Sequence, residues 1–260
     1  MRGRGFLIAV VTVAALSVGT ASAGAVDRLV IFGDSLSDTG NADIRFFGTV
    51  PGSGYFDGRF SNGPVWVERL AEQLLLPSPQ PNLAGPGRWD YAFGGAMTVG
   101  SGFQSLFIND VDEQVSDFLN NDGGPIAGDL TVVWAGANDF FEGQANAQVP
   151  VNNLTNDITR LYHAGTRRFL VLNLPMLGKT PRYVGTTNEA VFDARSTQFN
   201  DALDLAMDGL EATLSGVELV RVDVGGLISS VIADPSAYGF TNVTDPAMGL
   251  AGIDPDTYLF

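Results

Sequence analysis

The 260-residue chain contains no cysteine and a single histidine, and its 14 Lys+Arg are outnumbered by 29 Asp+Glu, giving a formal net charge of −15. Each shortage removes a class of function. Without cysteine there is no disulfide framework, no thiolate nucleophile and no Cys-ligated zinc or iron–sulfur centre. One histidine excludes the multi-His clusters of zinc metalloproteases. The scarcity of positive charge argues against nucleic acid as a partner, because affinity there comes from Lys and Arg neutralising phosphates. Chemistry is left to hydroxyls, carboxylates, carboxamides and the backbone, and neither a metal nor a cofactor is expected. What the chain does have is 45% hydrophobic residues, enough to bury a sizeable core.

Residues Met1 to Ala23 read as a secretory signal peptide: Arg2 and Arg4 form a basic start, Phe6 to Val18 is apolar, and Ala21-Ser22-Ala23 is a small-residue exit. The apolar run falls short of the ~20 residues that a bilayer core requires, so a stable membrane span is not expected. Cleavage near Gly24 leaves one domain over residues 24–260, destined for the periplasm or the exterior of a bacterium. No repeat, low-complexity block or linker divides that stretch.

Past the signal, short β-rich apolar runs alternate with helical patterns, which predicts an α/β fold with a parallel sheet flanked by helices. Strands are expected over Arg28 to Phe32, Leu130 to Ala135, Arg168 to Leu172 and Val217 to Val224, with a short fifth around Tyr91 to Phe93. A helix is expected from Pro64 to Leu75, with Asn62 as its N-cap and Trp66, Leu70 and Leu74 on one face. Leu154, Ile158 and Leu161 form a stripe before the third strand. Phe192, Phe199, Leu203, Met207, Leu210 and Leu214 mark a long helix before the fourth. Asp38 to Asn62 and Pro77 to Gly87 read as long loops, the kind that carry function in a compact domain.

Three short segments place reactive groups just past strand ends, where open α/β sheets bind ligands. In Phe32-Gly33-Asp34-Ser35-Leu36-Ser37-Asp38-Thr39-Gly40-Asn41 a small glycine permits a sharp exit, so Ser35 can present its hydroxyl as a nucleophile and its N–H as an oxyanion donor. A plain chain reversal accounts for the same tetrapeptide. In Asp90-Tyr91-Ala92-Phe93-Gly94-Gly95-Ala96 a glycine N–H can approach a substrate closely, although two glycines are also a tight turn. In Gly136-Ala137-Asn138-Asp139 the Asn138 carboxamide can donate to a developing oxyanion, or simply cap a loop. Together the three supply the parts of acyl-transfer chemistry.

On these blocks the chain resembles the GDSL, or SGNH, family of serine esterases and lipases. Tyr55 to Glu68 (YFDGRFSNGPVWVE) and Asn173 to Pro181 (NLPMLGKTP) resemble segments of its phospholipase and plant-like branch, so the likeness runs from about Asp27 to the last residue. Asp90 departs from it, since the family often has Asn before the Tyr-Ala. The resemblance implies a three-layer, flavodoxin-like domain that hydrolyses small-molecule or lipid carboxylic esters. It makes Ser35 the nucleophile and the Ser35 N–H, Gly95 N–H and Asn138 side chain the oxyanion hole.

The family's Asp-x-x-His block, which supplies the general base and its orienting carboxylate, is absent: neither Asp254 nor Asp256 has a histidine three residues on. The 260 residues are therefore expected to be nearly inactive by themselves and to be an incomplete form of the domain, with a non-catalytic ester or carbohydrate binder as the alternative. His163 ends a helix that leads into the third strand, at the edge opposite Ser35, and is expected to serve the helix dipole instead. Gly178-Lys179-Thr180 lacks the earlier glycine of a phosphate loop and is followed by Pro181, so nucleotide binding is not expected.

Overall fold

The computed structural model describes residues 25–100 and 104–260; the expected signal peptide at 1–23 lies outside them. Four strands, β1 (Arg28–Gly33), β2 (Asp129–Trp134), β3 (Arg168–Leu172) and β4 (Glu218–Val222), form one parallel sheet in the order β1-β2-β3-β4. β2 and β3 are buried at every position, which is why they read as unbroken apolar runs and not as alternating ones. The fifth expected strand is present as an extended segment on the free edge of β1. Ile31 N–H donates to Trp89 O at 2.9 Å, Tyr91 N–H to Ile31 O at 2.8 Å and Phe93 N–H to Gly33 O at 3.0 Å.

Around the sheet stand α1 (Asn41–Arg45), α2 (Trp66–Gln73), α3 (Val111–Asn121), α4 (Ala137–Phe141), α5 (Gln148–Ala164), α6 (Glu189–Thr213) and α7 (Val224–Ala233). Alternate residues of each strand point to opposite faces, and two cores result. Val30, Phe32, Val133 and Val171 pack with Val115 and Phe118 of α3, Ile158 and Leu161 of α5, and Phe199 and Leu203 of α6. On the other face Leu29, Ile31, Val132 and Leu172 pack with Trp66 and Leu70 of α2 and Val224 and Ile228 of α7. The result is the expected three-layer α/β architecture.

Three local expectations are corrected. Asn62 does not cap α2: its carboxamide donates to Asp256 Oδ1 at 3.0 Å, and Val65 is the N-cap, with Glu68 Oε2 accepting from Val65 N–H at 2.8 Å. The stretch from Asp38 to Asn62 is not all loop, because it contains α1. The fourth strand stops at Val222 rather than Val224, since Asp223 turns the chain and caps α7 by accepting from Gly226 N–H at 2.8 Å.

Candidate active site

All four strands point their carboxyl ends to one edge, and the three singled-out segments meet there. Gly33 ends β1 against β2: a Cβ on it would fall 2.4 Å from Trp134 O, so no larger residue fits without displacing the backbone. The chain then makes a tight turn. Asp34 O accepts from Ser37 N–H and Asp38 N–H, both at 3.1 Å, and Asp34 Oδ1 accepts from Leu36 N–H at 3.0 Å. Ser35 sits within this turn, partly exposed. Among the described residues neither its Oγ nor its N–H has a hydrogen-bond partner.

The second segment is bound to the first by buried carboxylates. Asp38 accepts from Gly40, Asn41 and Ala42 N–H at the start of α1, and also from Gly94 N–H at 2.8 Å. Asn41 reaches in the same direction, donating to Asp90 O at 2.8 Å and Ala92 O at 3.0 Å. Asp90, at the position where the resembled family often has Asn, accepts from the Thr39 N–H and hydroxyl and from Ala92 N–H. This clamp delivers Gly95 at the surface in a turn closed by Ala96 N–H to Phe93 O at 3.0 Å. Gly95 has φ +87°, a conformation that suits glycine. Its N–H has no partner among the described residues.

The third segment holds the second from the other side. Asn138 Nδ2 donates to Ala96 O at 2.8 Å, while the Asp139 carboxylate accepts the Thr98 N–H at 3.0 Å and the Thr98 hydroxyl at 2.6 Å. Asn153 of α5 adds a donor to Thr98 Oγ1 at 2.9 Å. Further along the edge, Trp134 Nε1 donates to Asn173 O at 3.0 Å, and Asn173 donates to Asp223 Oδ1 at 2.8 Å.

Carboxyl groups crowd the turn, and burial governs them. Asp34, 4% exposed, is pushed up to about 7 by burial, with the charges of Asp139 and Asp38 adding and the Leu36 N–H opposing. Asp90 is raised well above the ordinary range by burial and by Asp38, against its bonds from Thr39. Asp139 is raised by burial, against its two bonds from Thr98. The partly exposed Ser35 thus follows directly in sequence on a buried carboxyl that is raised by its burial.

The structure brings Ser35, Gly95 and Asn138 onto one edge through direct bonds between their segments, and leaves His163 elsewhere. That residue is exposed in the last turn of α5, its ring 5.5 Å from that of Tyr162. It precedes β3 whereas Ser35 follows β1, so roughly the length of a strand, about 16 Å, separates the two levels. Lys179 is held by Glu189 and Asp193. Among the described residues no cluster of three or more His, Asp or Glu is arranged to hold a metal ion. Sequence reasoning missed the supporting side chains, Thr98, Gln114 and Asn153. Of these, Gln114 left a trace, as the polar member of the otherwise apolar face Val111, Val115 and Phe118.

A parallel α/β sheet with an unpartnered serine at its carboxyl edge is a frame on which acyl-transfer chemistry can be built. The profile of the GDSL-like lipase/acylhydrolase family matches residues 29–256, and the chain belongs to that family. It is 31% identical to a phosphatidylcholine-sterol acyltransferase of Aeromonas hydrophila, over 90% of this chain and 70% of the relative. A thermolabile hemolysin of Vibrio parahaemolyticus is 27% identical, over 90% of this chain and 54% of its own length, so the chain spans about half of that relative. A GDSL esterase/lipase of Arabidopsis thaliana is 28% identical, over 90% of this chain and 83% of the plant protein. Members of the family act on esters. No helix among the described residues is long and apolar enough to cross a membrane.

Proposed function

We propose that the protein is an exported bacterial hydrolase of carboxylic esters, with Ser35 as its nucleophile and the Ser35 N–H, Gly95 N–H and Asn138 Nδ2 as its oxyanion hole. The observation that carries this reading is the pair of segments tied to Gly95. Asp38 fixes the nucleophile turn to Gly94, Asn138 fixes the third segment to Ala96, and the groups left without internal partners are the Ser35 hydroxyl and the N–H groups beside it.

Ser35 Oγ adds to the ester carbonyl carbon and passes its proton to a general base. The carbonyl oxygen becomes an oxyanion held by the N–H donors, and collapse expels the alcohol with that proton. Water then cleaves the acyl-serine. A second alcohol at the same step gives acyl transfer, the activity that the name of the Aeromonas relative carries. His163 is at the wrong edge to be the base, so among the described residues we assign no side chain to that role. Without a base, an oxyanion hole and binding alone leave a residual rate on the order of 10³- to 10⁴-fold over water. That no imidazole lies near Ser35 among the described residues favours a second reading, binding of an ester or carbohydrate in the same cleft without turnover.

The test is expression through the natural stop codon, with hydrolysis of p-nitrophenyl acetate and butyrate compared between wild type and Ser35→Ala. Loss of turnover in the variant is expected. Equal turnover rejects the assignment, and saturable binding of ester with no turnover in either protein selects the second reading.

A further inference from the structure

Gln114 is buried on α3 among Val111, Val115 and Phe118, where an apolar side chain would pack without desolvating an amide. Its carboxamide is fully engaged. Oε1 accepts from Gly33 N–H at 2.9 Å, Nε2 donates back to Gly33 O at 2.9 Å, and the second Nε2 hydrogen goes to Asn109 O at 2.8 Å. Along this edge of β1 the chain has exchanged bonds with residues 89–93 up to Phe93 N–H on Gly33 O. The Gly33 N–H, one rung before that last bond, is taken by Gln114 instead of by the extended segment. Past Gly33 O, which accepts from both Phe93 N–H and Gln114 Nε2, the chain enters the turn that holds Ser35, two residues on.

The other end of the bond network lies under the second segment. Asn109 follows Ile108, whose Cδ1 would be 3.2 Å from a Cβ on Gly95, so Gly95 rests on this side chain. Asn109 is itself held by Arg45 of α1, which donates to its Oδ1 at 2.9 Å. One carboxamide thus contacts the main chain leading to Ser35 and the loop supporting Gly95.

We propose that Gln114 is a positioning residue for ester cleavage: by pairing with both polar groups of Gly33 and with Asn109 O, it sets the Ser35 hydroxyl relative to the Gly95 N–H. The proposal rests on Ser35 as nucleophile. Displacement of a reacting group by about 1 Å costs on the order of 10²-fold in rate, so loss of this reference is read in kcat and not in KM.

Two substitutions test it in the protein expressed through its natural stop codon, with rates expressed per folded molecule by near-ultraviolet circular dichroism. Gln114→Met keeps the shape and removes all three bonds; kcat is expected to fall by about tenfold or more with KM unchanged. Gln114→Glu carries a pH signature. Protonated, the acid has one donor and one acceptor and re-forms the pair with Gly33; ionised, it has no donor and faces Gly33 O. The ratio of its kcat to that of wild type is expected to fall as pH rises between about 5 and about 9. The titratable groups around this point are Asp110 at the N-cap of α3, Asp112, Glu113 and Asp117 on α3, Asp34 after β1 and Asp139 on α4, with the Arg45 charge behind Asn109. All are common to both proteins and so cancel in the ratio.

A folded Gln114→Met with wild-type kcat, or a flat Gln114→Glu ratio, overturns the proposal. Ser35→Ala assayed alongside separates the two levels. Turnover surviving there overturns the nucleophile and this proposal together, whereas loss there with an unaffected Gln114→Met overturns the role of Gln114 alone.

Discussion

Asn138 Nδ2 donates to Ala96 O at 2.8 Å, so one of its two amide hydrogens is committed to the loop that carries Gly95 and the other is left for a ligand. In the proposed oxyanion hole the side chain is both a tether and a donor. Asn138→Ala removes both functions, and kcat is expected to fall by roughly 10²- to 10³-fold, the usual cost of losing one oxyanion donor, with a smaller change in KM. Steady-state kinetics on a short p-nitrophenyl ester measures it. A variant with unchanged kcat would remove Asn138 from the oxyanion hole.

Asp34 makes native stability depend on pH. Its carboxyl moves from 3.8 to about 7 on folding, so between those values the native state keeps a proton that the unfolded chain has released. Stability from this group therefore falls as pH rises from about 4 to about 7 and levels off above. Asp34→Asn can still accept from Leu36 N–H and has nothing to titrate. The variant is expected to gain on wild type across that window, by a few kcal/mol at most. Thermal midpoints of both proteins at a series of pH values test this. Asp157, pushed up to about 6 by burial against its bond from Arg160, contributes a slope of the same sign to both proteins and drops out of the difference.

At the amino-terminal edge of the sheet, Arg28 forms a two-pronged pair with Asp129, Nε to Oδ1 at 2.7 Å and Nη2 to Oδ2 at 2.6 Å, while its guanidinium lies 3.9 Å from the centre of the Trp89 ring. Both side chains are largely buried. Asp129→Ala leaves the guanidinium uncompensated, and a loss of roughly 3–5 kcal/mol in unfolding free energy is expected by urea titration. Because the pair lies at the opposite end of β1 from Ser35, kcat and KM of the folded variant are expected to match wild type.

His163→Ala distinguishes the lone imidazole of these residues from a catalytic one. The side chain is exposed and touches the Tyr162 ring. Activity of the variant is expected to equal that of the parent at every pH assayed. A loss of more than about tenfold would mean that His163 reaches Ser35 after all.

The strands were legible because β1, β2 and β3 are buried on both faces and their apolar runs are continuous. The segments of Ser35, Gly95 and Asn138 stood out because glycine and small polar residues cluster just past those runs. What the sequence hid was the support. Asp38, Asp90 and Asp139 look like ordinary loop residues until the fold shows each accepting backbone or hydroxyl donors from another segment. Asn62 looked like a helix cap because Asn commonly is one, but a partner near the other end of the chain, Asp256, competes for its carboxamide. α1 was missed for a related reason. The carboxylate that receives its first N–H groups, Asp38, stands outside the helix and is shared with Gly94, so no local pattern announces it.

The Asp38 clamp also says where the shape of the nucleophile turn comes from. Asp38 and Gly94 are separated by 56 positions, and Asn41 reaches Asp90 and Ala92 across 49 and 51. An excised peptide carrying the whole run from β1 to α1 would contain every letter of the signature and its local turn bonds, but none of the bonds from residues 90–94 that fix it in place. The motif is a record of the chemistry, while the geometry is written by distant stretches of the chain that fold up against it.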